Sequence, residues 1–134
     1  MRFVNEIRLD VPGRSARSSL FVDPSADYLT DHFPGIPMLP GLVMLEAAVR
    51  TAAVVWPPRE QPGLTRATLD RVDRLHVMRR VVPGEILEVT AEAIDPLGDH
   101  ATQMFTAIGV VAGETAMRAK FRLRSFGAGE RSGR

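Results

Sequence analysis

The chain has 134 residues, which is the length of one domain and enough to bury a hydrophobic core without help from a metal or a disulfide. Its 17 Lys and Arg residues nearly balance its 16 Asp and Glu residues, and a formal net charge of +1 gives no electrostatic reason to expect nucleic acid or an anionic membrane as the main partner. The absence of cysteine excludes disulfides, thiolate metal sites and cysteine nucleophiles, which leaves histidine and carboxylate chemistry.

A hairpin is the first predicted feature, with strands at residues 4–9 and 16–22 and a turn at Pro12 and Gly13. Charged residues among the first ten positions leave no apolar core for a signal peptide there. The longest apolar stretch, residues 42–56, contains two charges and is too short to cross a bilayer. We therefore predict a cytoplasmic protein.

A loop and a helix follow the hairpin. Residues 23–40 contain four prolines and a glycine, too many backbone constraints for a helix or a central strand, so we predict a stiff, ordered loop. Residues 41–56 are rich in Leu, Val, Met and Ala and stop at Pro57 and Pro58, which predicts a helix of about 24 Å. Because this helix is apolar nearly all the way round, we expect other elements to surround it.

The second half of the chain predicts strands at residues 65–72, 74–78, 86–94, 102–112 and 115–126. In the last of these, four apolar residues alternate with four cations, which places the two sets on opposite faces of a sheet. The cations are Arg118, Lys120, Arg122 and Arg124. The order of elements predicts an α+β fold in which a curved antiparallel sheet wraps around one long helix. We expect one domain over residues 1–126 and a disordered tail over residues 127–134.

Two residues differ from ordinary packing residues. His32 lies in the proline-rich loop, where a rigid backbone would fix its imidazole, although a single loop histidine is more often a hydrogen-bonded structural residue. Glu46 is the one carboxylate in the predicted helix, so if it is buried it must be paired, protonated or facing a cavity. Arg50 lies four residues further on, in the favourable orientation for a structural salt bridge with Glu46.

The segment from His32 reads His-Phe-Pro-Gly-Ile-Pro-Met-Leu-Pro-Gly, and Glu46 follows the histidine by fourteen positions. This segment resembles the signature of the hot-dog-fold 3-hydroxyacyl-[acyl-carrier-protein] dehydratases. Residues 79–85, Arg-Arg-Val-Val-Pro-Gly-Glu, resemble a downstream strand and turn of the same family. The resemblance covers most of residues 3–126. A glutamate at position 46 is similar to the branch that only dehydrates and does not isomerise the double bond.

The resemblance implies a hot-dog fold, a curved antiparallel sheet around a long central helix, and a dimer whose two active sites lie between the subunits. His32 of one chain would remove the C2 proton of the substrate, and Glu46 of the other would protonate or orient the departing 3-hydroxyl. The amide N–H of Gly41, at the helix start, would hold the negative charge that develops on the thioester oxygen. No metal or redox cofactor is implied, since the substrate is carried on the phosphopantetheine of the carrier protein.

The leading hypothesis is therefore dehydration of a 3-hydroxyacyl-carrier-protein thioester to the trans-2-enoyl thioester, in fatty-acid or polyketide-type biosynthesis. A hot-dog thioesterase is the rival enzyme, and a non-catalytic module that binds acyl carriers or acyl chains is the rival from another class. The predicted partners are an acyl carrier protein and a second copy of the chain, with a higher oligomer left open. Nucleic acid and membrane insertion are not expected.

A row of cations on one face of a strand, as in the last predicted strand, is most often a solvated sheet face. The alternative is a docking surface for an acidic carrier protein, formed by Arg79, Arg80, Arg122 and Arg124. Such a surface would speed the encounter with the carrier and lose its effect in high salt.

Overall fold

The computed structural model describes residues 6–25, 39–56, 64–95 and 101–127. In chain order, the elements are β1 (Glu6–Val11), β2 (Ser15–Phe21), α1 (Gly41–Ala52), β3 (Leu64–Val77), β4 (Ile86–Ala93), β5 (Thr102–Val111) and β6 (Glu114–Gly127). The six strands form one antiparallel sheet in the order β1-β2-β4-β5-β6-β3, and α1 contacts every strand from β2 to β6. The predicted α+β fold, with a helix packed on one face of an antiparallel sheet, is confirmed.

Alternation of apolar and polar residues determines which face of the sheet covers the helix. In β4 every second residue is buried, and in β6 the apolar residues are buried while the cations lie on the opposite face, as predicted. Phe105 of β5 and Phe121 of β6 pair across the strands with ring centroids 6.0 Å apart, and both are fully buried. The hydrophobic core therefore lies between this face and α1.

The helix is shorter and less enclosed than predicted. It ends at Ala52, and residues 53–56 tighten into turns in which the N–H of Val55 donates to the Ala52 carbonyl at 2.9 Å. The two prolines that follow in the sequence lack an N–H and cannot continue a helix, so the helical segment has to end before them. Among the described residues, the buried side chains of α1 lie on one face, and Leu42 on the other face is 74% exposed.

Strand β3 is continuous where two strands were predicted. It spans 14 residues along β6, and its register with β6 shifts between Leu69 and Arg71 and again between Val72 and Arg74. Asp70 and Asp73 have no partner residue in β6 at these two shifts, so each is the inserted residue of a β-bulge and the strand continues beyond it. The first hairpin is confirmed with β1 ending at Val11. Strand β6 extends to the first residue of the predicted tail, and residues 128–134 lie outside the described residues.

The connection between β3 and β4 contains a tight turn over Val82, Pro83, Gly84 and Glu85. The Val82 carbonyl accepts a hydrogen bond from the Glu85 N–H at 3.1 Å, and Gly84 adopts a φ of +92°. Proline followed by a residue with positive φ is the pattern of a type II turn, and glycine adopts this φ without strain. We name residues 81–85 the Pro-Gly turn.

An ion pair fixes the Pro-Gly turn. Both terminal nitrogens of Arg79 donate to the two oxygens of Glu85, at 3.1 and 2.9 Å, and the Val82 N–H donates to Glu85 Oε1 at 2.9 Å. The Arg79 hydrogen bonds, followed by that of Val82, hold the pKa of the Glu85 carboxyl below its usual value. The same pairing raises the pKa of Arg79, which keeps its charge throughout the ordinary pH range.

This ion pair predicts a pH-dependent contribution to stability. Because the pKa of Glu85 is lower in the folded chain than its unfolded reference of 4.5, the contribution is complete above that reference and disappears as the pH falls through the folded pKa. We expect the Glu85→Gln variant to be less stable than the wild type, with a constant difference between about pH 7 and 5 that shrinks in more acid solution. Urea unfolding of both proteins across this range measures it, and a difference that persists unchanged into acid would contradict the prediction.

Candidate active site

The first turn of α1 has backbone donors with no acceptor. Pro40 precedes the helix in an extended conformation and offers no side-chain cap, and its carbonyl accepts from the N–H groups of Val43 and Met44. Among the described residues, the N–H groups of Gly41 and Leu42 have no hydrogen-bond acceptor. Unpaired N–H groups at a helix start, together with the helix dipole, favour a negatively charged or polarised oxygen at this point.

A cavity of about 410 Å³ lies at this end of the helix. Its apolar wall consists of Leu39, Met44, Val77 and Met78, and Gly41 also lines it. A Cβ at Gly41 would lie 3.2 Å from Val77 Cγ2, which is closer than most real contacts of this kind. Glycine at this position therefore lets the helix begin directly against the end of β3, with its first amide at the cavity.

Glu46 is exposed, as are Leu42 one helical turn before it and Arg50 one helical turn after it. We name these three residues the exposed stripe of α1. Arg50 Nη2 lies 2.7 Å from Glu46 Oε2, and both side chains are about half exposed, at 50% and 52%. Of the options open for Glu46, the structure shows pairing, on a stripe that faces away from the sheet. The predicted salt bridge with Arg50 is confirmed, and at this exposure its contribution to stability is small.

The two adjacent arginines after β3 have different surroundings. Both Arg79 and Arg80 line the cavity. Arg79 is committed to the ion pair with Glu85 and to a second contact with Glu114, where its Nε lies 3.1 Å from the carboxylate. Arg80 is exposed and has no ion-pair partner among the described residues. Of the two, Arg80 is the one whose charge remains available to a ligand.

The cations of β6 lie on the outer face of the sheet, opposite the helix. Arg122 donates to Asp70 of β3 at 2.6 Å, so part of its charge is neutralised within the chain. Strand β3 adds Arg74 and His76, which pair in register with Lys120 and Arg118. Arg74, Arg118 and Lys120 have no ion-pair partner in the part of the chain that the structure describes. We name these three residues with Arg122, Arg124 and His76 the basic face.

The structure thus brings Gly41, Arg79 and Arg80 together at one cavity. Glu46 is not among the residues lining this cavity, and neither Arg122 nor Arg124 is. His32 lies outside the described residues. Sequence reasoning missed Glu85, although its position across a Pro-Gly turn from Arg79 is a signal that could have indicated the ion pair. It also missed Arg74, which belongs to the basic face through the pairing of β3 with β6.

Two negative findings apply to the described ranges only. Within residues 6–25, 39–56, 64–95 and 101–127, no three His, Asp or Glu side chains cluster as metal ligands would. In the same ranges, no helix has the length and apolar character needed to traverse a bilayer.

Comparison with solved structures confirms the hot-dog fold. A hot-dog-like protein from Thermanaerovibrio acidaminovorans superposes with a TM-score of 0.70 at 13% identity, covering 93% of this chain and 84% of the other. A chain of the dehydratase heterocomplex ApeI:P from Xenorhabdus doucetiae superposes with a TM-score of 0.68 at 18% identity, covering 90% of this chain and 96% of the other. The PaaI protein of the E. coli phenylacetic acid degradation operon superposes with a TM-score of 0.69 at 18% identity, covering 91% of this chain and 79% of the other. Identities this low establish the fold alone.

Sequence comparison is more specific. The chain is 32% identical over 126 residues to the 3-hydroxyacyl-[acyl-carrier-protein] dehydratase FabZ of Cereibacter sphaeroides, covering 88% of this chain and 76% of that protein. FabZ of Anaeromyxobacter sp. is 34% identical over 98 residues, with 70% and 61% covered. The family model of the ApeI-like proteins, described as ApeI dehydratase, matches residues 9–121. With the predicted resemblance to hot-dog dehydratases confirmed over most of its length, this chain belongs to the ApeI-like dehydratase family.

Proposed function

We propose that this protein eliminates water from a 3-hydroxyacyl thioester carried by an acyl carrier protein and forms the trans-2-enoyl thioester. Its family and the activity named for its FabZ relatives support this substrate class. The observation that carries the proposal is the helix start, where the amides of Gly41 and Leu42 lack acceptors and Gly41 lines a largely apolar cavity. An acyl thioester needs both features, since its chain is apolar and its carbonyl oxygen gains charge during the reaction.

The reaction needs a base, an acid and a site for developing charge. A C2–H beside a thioester is weakly acidic, so its removal requires stabilisation of the enolate-like oxygen, which backbone N–H donors provide without reorganisation. We assign this role to the amide of Gly41, with Leu42 as a second donor. The dipole of α1 acts in the same direction.

His32 and Glu46 carry the proton transfers in this proposal. The imidazole of His32 accepts the C2 proton, the C2–H electron pair becomes the new double bond, and the C3–O bond breaks. Glu46 donates a proton to the departing hydroxyl, which leaves as water. In the resting chain Arg50 contacts the Glu46 carboxylate at 2.7 Å, so Glu46 takes up a proton before the donation, and the proton accepted by His32 is returned between turnovers; after the donation Arg50 again stabilises the carboxylate.

A second copy of the chain would complete the site. Glu46 lies on the exposed stripe of α1 and does not line the cavity at the helix start of the same chain. We therefore propose a homodimer in which His32 of one protomer works with Glu46 of its partner. The 74% exposure of Leu42 on the same stripe supports this, because a large apolar side chain at the centre of a protein interface is buried.

The edge strand β3 is the second surface that favours a dimer. It is the last strand of the sheet, spans 14 residues and leaves Leu69, Val72 and Val77 partly exposed. Long unpaired edges of this kind invite pairing with another strand. In an antiparallel pair centred on Val72, Asp70 and Asp73 would face Arg74 and Arg71 of the other copy, in addition to their partners Arg122 and Arg71 in the same chain.

Dehydration involves no net change of oxidation state, so we propose that the reaction uses no redox cofactor. We also propose that it uses no metal, since His32, Glu46 and the amide of Gly41 supply the base, the acid and the charge site, and that the substrate arrives on phosphopantetheine. A cytoplasmic location and service to fatty-acid or polyketide-type biosynthesis stay predictions. The thioesterase and the non-catalytic binding module remain as outcomes of the experiment below.

The proposed activity predicts a specific product. Purified protein incubated with a 3-hydroxyacyl-carrier-protein thioester should yield a conjugated enoyl thioester, which absorbs in the ultraviolet, together with one water. Free acid and free thiol would instead identify a thioesterase, and binding without turnover would identify a binding module. Mass spectrometry of the carrier-bound product distinguishes all three.

The shared site predicts complementation between inactive variants. His32→Ala and Glu46→Gln should each lose activity, since each lacks one partner of the proton transfer. After the two are mixed and allowed to exchange subunits, each heterodimer should contain one intact site and recover part of the activity. Native mass spectrometry verifies that heterodimers form. Heterodimers without any recovered turnover would show that the two residues do not act across the interface.

Close packing at the helix start predicts a large effect of Gly41→Ala. The added methyl would lie 3.2 Å from Val77 Cγ2, so the helix start or the strand must shift and carry the amide donors with it. We expect kcat to fall about ten- to hundredfold, as for other misplaced oxyanion donors. Adding Val77→Ala makes space for the methyl and should recover part of this loss. An unchanged kcat in Gly41→Ala would argue against the assignment of this amide.

We further propose that the acidic carrier protein docks on the basic face. Charge reversal there should then reduce turnover of the carrier-bound substrate and not of a substrate without the carrier. Charge reversal at Arg118 and Arg124 should lower kcat/KM for the carrier-bound substrate about tenfold at low salt and leave a small thioester mimic unaffected. Arg8→Glu is the matched control, because Arg8 is an exposed cation near the opposite edge of the sheet. Equal losses on both substrates, or an equal loss in the control, would refute docking at this face.

A further inference from the structure

We infer that Glu85, held by Arg79, is a positioning residue for the thioester-binding end of α1. The inference rests on the proposed function. It states that the Glu85–Arg79 ion pair, which lies outside the reacting groups, holds the first residues of α1 in position. Four described features carry it: a hydrogen bond to the residue before the helix, a second anchor at the end of β2, the three contacts of Glu85, and the position of Arg79 in the cavity wall.

The first feature links the Pro-Gly turn to the helix start. The N–H of Leu39 donates to the Val81 carbonyl at 2.7 Å, and Leu39 precedes Gly41 by two residues. Leu39 and Val81 are both buried, at 3% and 0% exposure, so water does not compete for this hydrogen bond. The position of the Pro-Gly turn therefore determines the position of the chain immediately before the unpaired amides of Gly41 and Leu42.

The second feature is an anchor on the other side of residues 26–38. Val22, which follows β2, donates its N–H to the Glu85 carbonyl at 2.9 Å and accepts from the Gly84 N–H at 2.8 Å. Val22 is fully buried. The described chain thus bonds to the Pro-Gly turn both shortly before and directly after the stretch that contains His32. One turn sets the positions from which that stretch departs and to which it returns.

The third feature is the side chain of Glu85, which holds the turn in shape. Its carboxylate accepts two hydrogen bonds from Arg79 and one from the Val82 N–H. A paired, fork-to-fork arginine and carboxylate fixes geometry more strictly than a single contact does. Without the carboxylate, the Val82 amide loses its acceptor, and the neighbouring carbonyl of Val81 is no longer held in place for Leu39.

The fourth feature places the ion pair against the cavity. Arg79 lines the cavity and follows Met78, whose N–H donates to the Ala116 carbonyl of β6 at 2.8 Å. The Nε of Arg79 also contacts the carboxylate of Glu114 at the start of β6. Glu85 itself does not line the cavity, and the described hydrogen bonds of its carboxylate are with Arg79 and the Val82 N–H. It acts on the site through these neighbours and not by touching substrate.

The experiment compares Glu85→Gln, Glu85→Ala and Arg79→Ala with the control Glu92→Gln, which removes an exposed carboxylate on the outer face of β4. With a small 3-hydroxyacyl thioester, we expect kcat to fall about tenfold in Glu85→Ala with KM nearly unchanged, because the donors and the proton-transfer groups are misplaced while the apolar wall remains. Glu85→Gln, which keeps an acceptor for the Val82 N–H, should retain more activity. Glu85→Ala combined with Arg79→Ala should lose no more than either alone.

A readout independent of activity separates this inference from the proposed function. Amide hydrogen exchange at Leu39, whose N–H is bonded to the buried Val81 carbonyl, should accelerate at least about tenfold in Glu85→Gln and stay at the wild-type rate in Glu92→Gln. Faster exchange without any dehydratase activity in the wild type would support the positioning role and reject the proposed function. Unchanged exchange in both Glu85 variants, or additive losses in the double variant, would overturn the positioning role.

Discussion

The contact between the first residue of α1 and the last residue of β3 is the constraint on which the site depends. A helix can offer unpaired amides to a ligand only if its first turn is left uncapped and faces a cavity. Here Pro40 supplies no side-chain cap, and Gly41 approaches Val77 more closely than a residue with a Cβ would. The same close approach forms the cavity wall, so donor placement and acyl-chain space follow from one packing contact.

Two surfaces of the described chain are more exposed than their composition suggests for a self-sufficient domain. The stripe of α1 contains Leu42 and the paired charges of Glu46 and Arg50, and the edge strand β3 leaves backbone groups and several apolar side chains uncovered. The hydrated charges of Glu46 and Arg50 make the stripe compatible with water in one chain, and in the proposed dimer they serve the chemistry when a second chain covers them. The dimer proposed above would bury both surfaces in a single association.

Regular patterns in the sequence predicted the regular parts of the fold. Period-two alternation in β4 and β6 identified the buried face of the sheet, and the change from Pro40 to a run of helix formers located the start of α1. The enclosure of the helix was not predictable, because apolar composition does not distinguish a residue covered by its own sheet from one that a second chain would cover. The two bulges of β3 also escaped prediction, since charged residues within a strand pattern indicate a break as readily as an insertion.

The candidate site was predictable in its residues and less so in their roles. Arg79 and Arg80 were grouped as docking cations because they are adjacent and alike in sequence. In the structure both line the cavity, but Arg79 is paired with Glu85 across the Pro-Gly turn while Arg80 stays exposed. In the proposed function the substrate arm carries a phosphate, so an unpaired cation beside the cavity is useful only if its neighbour's charge is neutralised internally. Otherwise two cations would repel each other at the opening, and the turn that fixes the helix start would lose its ion pair.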